Sequence, residues 1–296
     1  MKFDIEKHRD HCIASDTDSC FFSAEPLINK LGLEKEEEII EKVREVAHKY
    51  SIALNKQMDV FSSKLFNVKK HKFDFKTESI LKSAYWAGKR RYAQYIVDKE
   101  GVKVEELDMK GLDLMKSNFP PLFKKFGEGI IKDIMFGKTK SDIDKNILEF
   151  RESLQKIDWK KLLKPTGLKK LGEYIADIPR EGEIFTHLKS RCPINTRSAI
   201  QYNDILKHKK LDDKYPLFQV GDKMYISYLK DNPYKIEVVG FNGYNDPPEI
   251  IDLINNFVDR NKIFDSVLKN KIDNLYLDLG WDLPVYNKNI NKFFKF

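Results

Sequence analysis

The chain has 296 residues, 53 Lys and Arg against 46 Asp and Glu, and a formal net charge of +7. At 41% hydrophobic and 33% charged it has a globular rather than a disordered composition, and its length suggests about two domains or one large one. Its apolar runs are too short for a membrane helix, its opening segment is too charged for a secretory signal, and its three cysteines form no CxxC pair, which together point to a reduced, cytoplasmic protein.

In chain order, residues 12–24 read as strand, tight turn and strand, with the polar run Ser15-Asp16-Thr17-Asp18-Ser19 at the turn. Ile39, Ile40, Val43, Val46, Ala47 and Tyr50 recur at helical spacing, so a helix is expected over 34–50, and the pattern weakens after Val60. Residues 69–75 are basic, aromatic and expected to be extended. Residues 80–85, 91–97 and 102–107 read as strands, with Trp86-Ala87-Gly88 between the first two and an Asp98-Lys99-Glu100-Gly101 turn. Pro120 and Pro121 fit a first helical turn, followed by a buried face of Leu122, Phe123, Phe126, Ile130, Ile131 and Ile134. A third helix is expected over about 141–157 and a short fourth over 168–175. Residues 178–244 are expected to be irregular with short strands at 219–220, 224–229 and 236–239, before helices at about 248–258 and 262–269. The reading is an α+β fold.

The excess positive charge is concentrated. Residues 1–50 carry a net −4, residues 51–100 a net +6 and residues 151–200 a net +5, and the other blocks are nearly balanced. Two separate basic stretches suit two contact points on a polyanion, although solvated surface is the usual fate of Lys-rich helices.

Two features carry candidate chemistry. Asp16 and Asp18, two residues apart, project to one face of an extended chain. Paired carboxylates repel unless a cation separates them, and hard divalent ions prefer such oxygen ligands. An ordinary surface turn is the alternative. Gly88-Lys89-Arg90-Arg91-Tyr92-Ala93 sets three adjacent cations beside an aromatic ring, which suits a phosphate backbone, and a charge-guarded edge strand is its bland counterpart. His8, His11 and Cys12 lack a fourth ligand at useful spacing and are read as ordinary residues.

The acidic turn resembles the Asp-Thr-Asp-Ser hairpin of family B DNA polymerases, with Ala14-Ser15 where that family usually has Tyr-Gly. The basic hairpin resembles the KKRY-type motif of the T-even phage type, with the same Asp-x-Glu-Gly turn after it, and Arg90 stands where Lys is usual. Met109-Lys110-Gly111-Leu112-Asp113, Lys116-Ser117 and Pro120 look like the segment leading into that family's thumb. Arg191-Cys192-Pro193-Ile194-Asn195-Thr196-Arg197 with Tyr202-Asn203 resembles a thumb motif. The resemblance covers essentially the whole chain and corresponds to the second half of the palm and the thumb.

The resemblance implies residues 1–110 as the C-terminal half of a palm, 111–288 as a mainly helical thumb with a small β tip, and 289–296 as a clamp-binding peptide. It implies that Asp16 and Asp18 are catalytic and hold two Mg²⁺ ions. Lys89, Arg90, Arg91, Tyr92, Arg191, Asn195 and Arg197 would contact primer–template DNA. Phe293, Phe294 and Phe296 would insert into a sliding clamp, a docked tail being the alternative. Only 15 residues precede Asp16, so the upstream metal-binding motif and the dNTP-binding fingers helix are not expected here. The implied protein is the C-terminal subunit of a split phage DNA-directed DNA polymerase, working in the cytoplasm of an infected bacterial host cell. It would be inactive alone and completed by an N-terminal polymerase fragment that holds most of the dNTP site. The runner-up is a non-catalytic DNA-binding or clamp-binding remnant. A glycosyltransferase, which also uses Asp-x-Asp, would need a preceding nucleotide-binding domain.

Overall fold

The computed structural model describes residues 12–16, 19–68, 71–112, 119–176 and 183–286. The fold is α+β, and it divides into two compact units, Met1–Ala84 with Gln94–Asp108, and Tyr85–Ala93 with Met109–Phe296.

In the first unit, β1 (Cys12–Asp16) and β2 (Ser19–Phe22) pair antiparallel, with Asp16 opposite Ser19. A short helix that the periodicity did not reveal follows, α1 (Glu25–Leu31), ended by Gly32 in the left-handed region. Seven residues are too few for a periodic signal to emerge. The next helix, α2 (Glu36–Phe66), has three acids in its first turn, where the helix dipole favours them. It runs well beyond the expected end at residue 50. Good helix formers such as Ala53, Leu54, Lys56, Gln57 and Met58 sustain it after the apolar pattern loosens. Residues 71–78 then run back along it without regular structure. Asn55 exchanges two hydrogen bonds with the Phe75 backbone, and His71 Nε2 lies 2.9 Å from Asp59.

One face of α2 changes character along its length. Ile39, Val43, Val46 and Ala47 are half-buried on the face that Tyr50, Leu54, Met58, Phe61 and Leu65 continue at spacings of four, four, three and four. From Tyr50 onward that face is largely open, with Tyr50 and Leu65 each 66% exposed.

A three-stranded sheet follows in the order β3 (Ser79–Gly88), β4 (Arg91–Lys99), β5 (Val102–Lys110). Trp86 and Ala87 continue β3, so the expected three-residue break is a two-residue turn, Lys89-Arg90. Glu100 and Gly101 both have positive φ, as a two-residue hairpin turn requires, and Asp98 accepts from the Gly101 N–H at 3.0 Å. Asp98 also pairs with Arg44, while Lys82 and Lys103 reach Glu36 and Glu37, so α2 is fastened to this sheet by its N-terminal half.

In the second unit, α3 (Pro121–Met135) starts on Pro121, and its expected buried face packs into the core. Its partner α4 (Lys140–Ser153) opens with a Thr139–Asp142 capping box. The Phe126 and Phe150 rings stack across the pair, 3.8 Å apart. The helix expected over 168–175 is not formed. Instead β6 (Pro165–Gly167) joins an antiparallel sheet with β7 (Lys223–Tyr228) and β8 (Val238–Phe241), and only a single 3-10 turn, Gly172–Tyr174, follows. Lys170 at φ 60 interrupts any helix there.

The larger surprise is α5 (Ile194–His208) inside the stretch expected to be irregular. Its Asn, Thr, Ser and Asp content weakens the local signal, because these side chains compete for backbone hydrogen bonds. Tertiary structure reverses this. Asn203 bonds both backbone groups of Phe218, and Asp204 accepts from Thr186 N and Oγ1. A Cβ on Gly240 of β8 would sit 2.9 Å from the Phe218 ring and 3.1 Å from the Ser198 carbonyl of α5, so only glycine permits this approach. The unit closes with α6 (Pro248–Phe257), α7 (Arg260–Phe264), a π turn (Asp265–Lys269) and α8 (Asn270–Asp278). Ile143, Ile147, Leu154, Tyr202, Ile254, Phe264 and Tyr276 are fully buried in its core.

Candidate nucleic-acid interface

The tip of the β3–β4 hairpin belongs to the second unit. Lys89 and Arg90 form its turn and are exposed, with Arg90 at φ 60. A left-handed backbone costs a non-glycine residue roughly 1–2 kcal/mol. The same conformation is adopted by Lys170, Arg191, Lys210 and Lys235, so several turn apices of the second unit carry cations. All five residues are exposed.

Arg91 and Tyr92 are half-buried and have internal partners. Arg91 Nη2 donates to Asp278 Oδ2 at 3.4 Å, and the same oxygen accepts from Tyr85 Oη at 3.4 Å. Burial, with the nearby Asp278 charge, raises the Tyr85 hydroxyl to about 12. The Tyr92 ring centre lies 5.0 Å from that of Trp86, and Lys110 Nζ stands 5.8 Å from the Tyr92 centre. On the other side of the turn, Gly111 adopts φ 66, and a Cβ there would come 2.0 Å from the Arg90 carbonyl oxygen. Neither Asp278 nor Gly111 could be linked to the hairpin from sequence. Asp278 is 187 residues from Arg91, and the closeness of Gly111 depends on where β5 ends.

The other basic stretch divides by role. The Arg191 side chain is exposed and makes no hydrogen bond or ion pair among the described residues. Asn195 Nδ2 instead donates to the Gly167 carbonyl at 3.1 Å and ties α5 to β6. Arg197 Nη1 lies 3.9 Å from Glu237, which also faces Lys262 at 3.8 Å. Next to Arg191, Cys192 is buried, and burial pushes its thiol pKa up. Two further cations meet at Glu173. Lys170 pairs with Glu173, and Lys189 donates to the Glu173 carbonyl.

Asp16 ends β1 in the first unit. Asp18, Phe293, Phe294 and Phe296 lie outside the described residues, as do Asp113, Lys116 and Ser117 of the expected thumb-entry motif. Among the described residues, no three His, Cys, Asp or Glu side chains gather as a metal-binding group.

Compared with known families, residues 4–159, more than half of the chain, match a family model described as Divergent Family B DNA polymerase. That span includes Asp16, Asp18 and the basic hairpin, and it ends before Arg191. No curated protein matches the chain.

Proposed function

Since the chain belongs to the divergent family B DNA polymerases, we propose that it is the C-terminal subunit of a split phage DNA-directed DNA polymerase. The observation that carries this reading is the basic turn Lys89-Arg90, exposed on its hairpin within the family-matched span, downstream of the strand that ends in Asp16. Lys89 and Arg90 grip the primer–template backbone, Tyr92 lies near the primer end, and Arg191 extends the grip to the duplex. Phosphate contacts of this kind position the duplex without reading its sequence. Asn195 and Arg197 act from behind, since their polar groups are engaged within the protein.

Asp16 and Asp18 hold two Mg²⁺ ions shared with the partner fragment, and an Asp-x-Asp donor set offers the hard oxygen ligands such ions require. Bound there, the ions supply charge stabilisation to the attacking and leaving oxygens of nucleotidyl transfer. Residues 1–110 serve as half of a palm and 111–288 as a thumb. The dNTP binds mainly on the N-terminal fragment. Two features of the first unit support a missing partner. β1–β2 is a two-stranded sheet, a form of marginal stability when left uncovered. The α2 face from Tyr50 to Leu65 is apolar and open, and such patches mark association surfaces.

At the other end, Tyr286 is held firmly. Its carbonyl accepts from Arg151 Nη1 at 2.9 Å, and its hydroxyl donates to Asp273 at 2.7 Å. From that anchor the chain leads to Phe293, Phe294 and Phe296, which serve as the sliding-clamp peptide. The working compartment is the cytoplasm of an infected bacterial cell, and no helix among the described residues is long and apolar enough to cross a membrane.

Primer extension tests the reading. The chain is mixed with a family B polymerase N-terminal region that ends just before its Asp-Thr-Asp-Ser motif. The pair is expected to extend a primer with Mg²⁺ and to lose extension with Asp18→Ala. A mixture that fails while a covalent fusion of the two pieces extends would sink the split arrangement. Duplex binding without extension in either format would favour the non-catalytic remnant.

A further inference from the structure

Asp278 occupies an electrostatically unfavourable place. It is the last residue of α8, where the helix dipole presents its negative end, so a carboxylate there needs a compensating partner. Its Oδ2 has two, Arg91 Nη2 and Tyr85 Oη, each at 3.4 Å. These donors stand on different strands, Tyr85 on β3 and Arg91 on β4, on either side of the Lys89-Arg90 turn. One carboxylate therefore ties both strands of the hairpin just behind its tip. Gly111 supplies the opposing wall, with its backbone against the Arg90 carbonyl.

We propose that Asp278 is a positioning residue for the basic turn. It holds Arg91 as an internal pin, so that Lys89 and Arg90 meet the nucleic-acid backbone from a preset geometry while Arg91 itself makes no phosphate contact. The inference rests on the reading of the hairpin as a primer–template grip. A turn held in place before binding loses less conformational freedom when it engages phosphate. The Tyr85 hydroxyl, raised to about 12, stays protonated and remains a donor at working pH.

Direct electrostatics and a pin predict opposite signs. If Arg91 gripped DNA, removing the neighbouring Asp278 carboxylate would strengthen binding. If Arg91 is a pin, removing the Asp278 carboxylate weakens binding. The full chain is titrated against a fluorescent primer–template hairpin duplex over a range of salt concentrations. Asp278→Ala is expected to weaken binding about threefold to fivefold, the scale of a partly exposed ion pair, and to flatten the salt dependence as Lys89 and Arg90 disengage. Asp278→Asn, which retains an acceptor for both donors, is expected to keep most of the affinity. The exchange Arg91→Asp with Asp278→Arg is expected to restore part of what either single change loses, because it re-forms the ion pair but leaves Tyr85 without its carboxylate acceptor. Tighter binding by Asp278→Ala, or an exchange variant as weak as Arg91→Asp alone, overturns the proposal. The Lys89→Ala, Arg90→Ala double variant separates the two layers. If it binds as well as the parent, the hairpin reading fails and takes the pin with it. If it binds weakly while Asp278→Ala binds normally, only the pin fails.

Discussion

The two units of this chain differ in how much of their large apolar side chains they bury. In the second, Phe123, Tyr202, Phe264 and Tyr276 are sealed inside, and the buried Arg151 is met by Asn261, Asp265 and Tyr286. In the first, Tyr50, Phe61, Leu65 and Phe66 face outward, and burial centres on Ile40, Ile80, Tyr95, Ile96 and Val97. The difference is one of cover rather than of local structure. The first unit has a well-formed 31-residue helix and tight hairpin turns, but among the described residues the apolar stripe over half of that helix is largely exposed. Its elements are specified by short-range chemistry, whereas those of the second unit are specified by each other.

Mutations sharpen this contrast. The largest effect is expected at Phe123, which is fully buried in α3 against Phe150. Phe123→Ala should cost about 3–5 kcal/mol of stability, measured by denaturant unfolding, through lost transfer energy and the cavity left behind. Gly111→Ala comes next. Its Cβ cannot coexist with the Arg90 carbonyl 2.0 Å away, so the turn or the end of β5 must move. About 1–3 kcal/mol is expected, the range for forced backbone shifts, with weaker primer–template binding as the accompanying readout. Smallest is the α2 stripe. Phe61→Ser with Leu65→Ser should change the stability of the lone chain by less than about 0.5 kcal/mol, since both side chains already face outward. The same pair of changes should weaken capture of the N-terminal polymerase fragment that the proposed function calls for. A large loss of stability there would mean that the stripe is covered within the chain itself, and the contrast between the units would collapse.

Legibility in the sequence followed the range of the signal rather than the unit. The β1–β2 pair, the onset of α2, the three strands from Ser79 to Lys110 and the core face of α3 could be read because each has a short-range signal: alternation, helical spacing, acids at a helix start or proline in a first turn. α5 could not. Its Thr196, Ser198, Asn203 and Asp204 read as loop residues, and their partners at Phe218 and Thr186 lie well away in the chain. The 168–175 segment failed in the other direction. Its Leu and Lys content suits a helix, but the preceding residues are drawn into a strand by β7, which lies more than fifty residues further on.

The candidate interface shows where residue type stops being informative. Lys89, Arg90, Arg91, Tyr92, Arg191, Asn195 and Arg197 form two basic stretches by composition alone, and nothing in that composition separates them. The exposed turn leaves Lys89 and Arg90 facing outward. Arg91 is turned to Asp278, Asn195 to Gly167 and Arg197 to Glu237. By itself the sequence determined which residue types stand together and which short elements they form, because those depend on neighbours within a few residues. Only the tertiary structure decided which partner engages which side chain, because Asp278, the Gly167 carbonyl and Glu237 arrive from parts of the chain far from Arg91, Asn195 and Arg197.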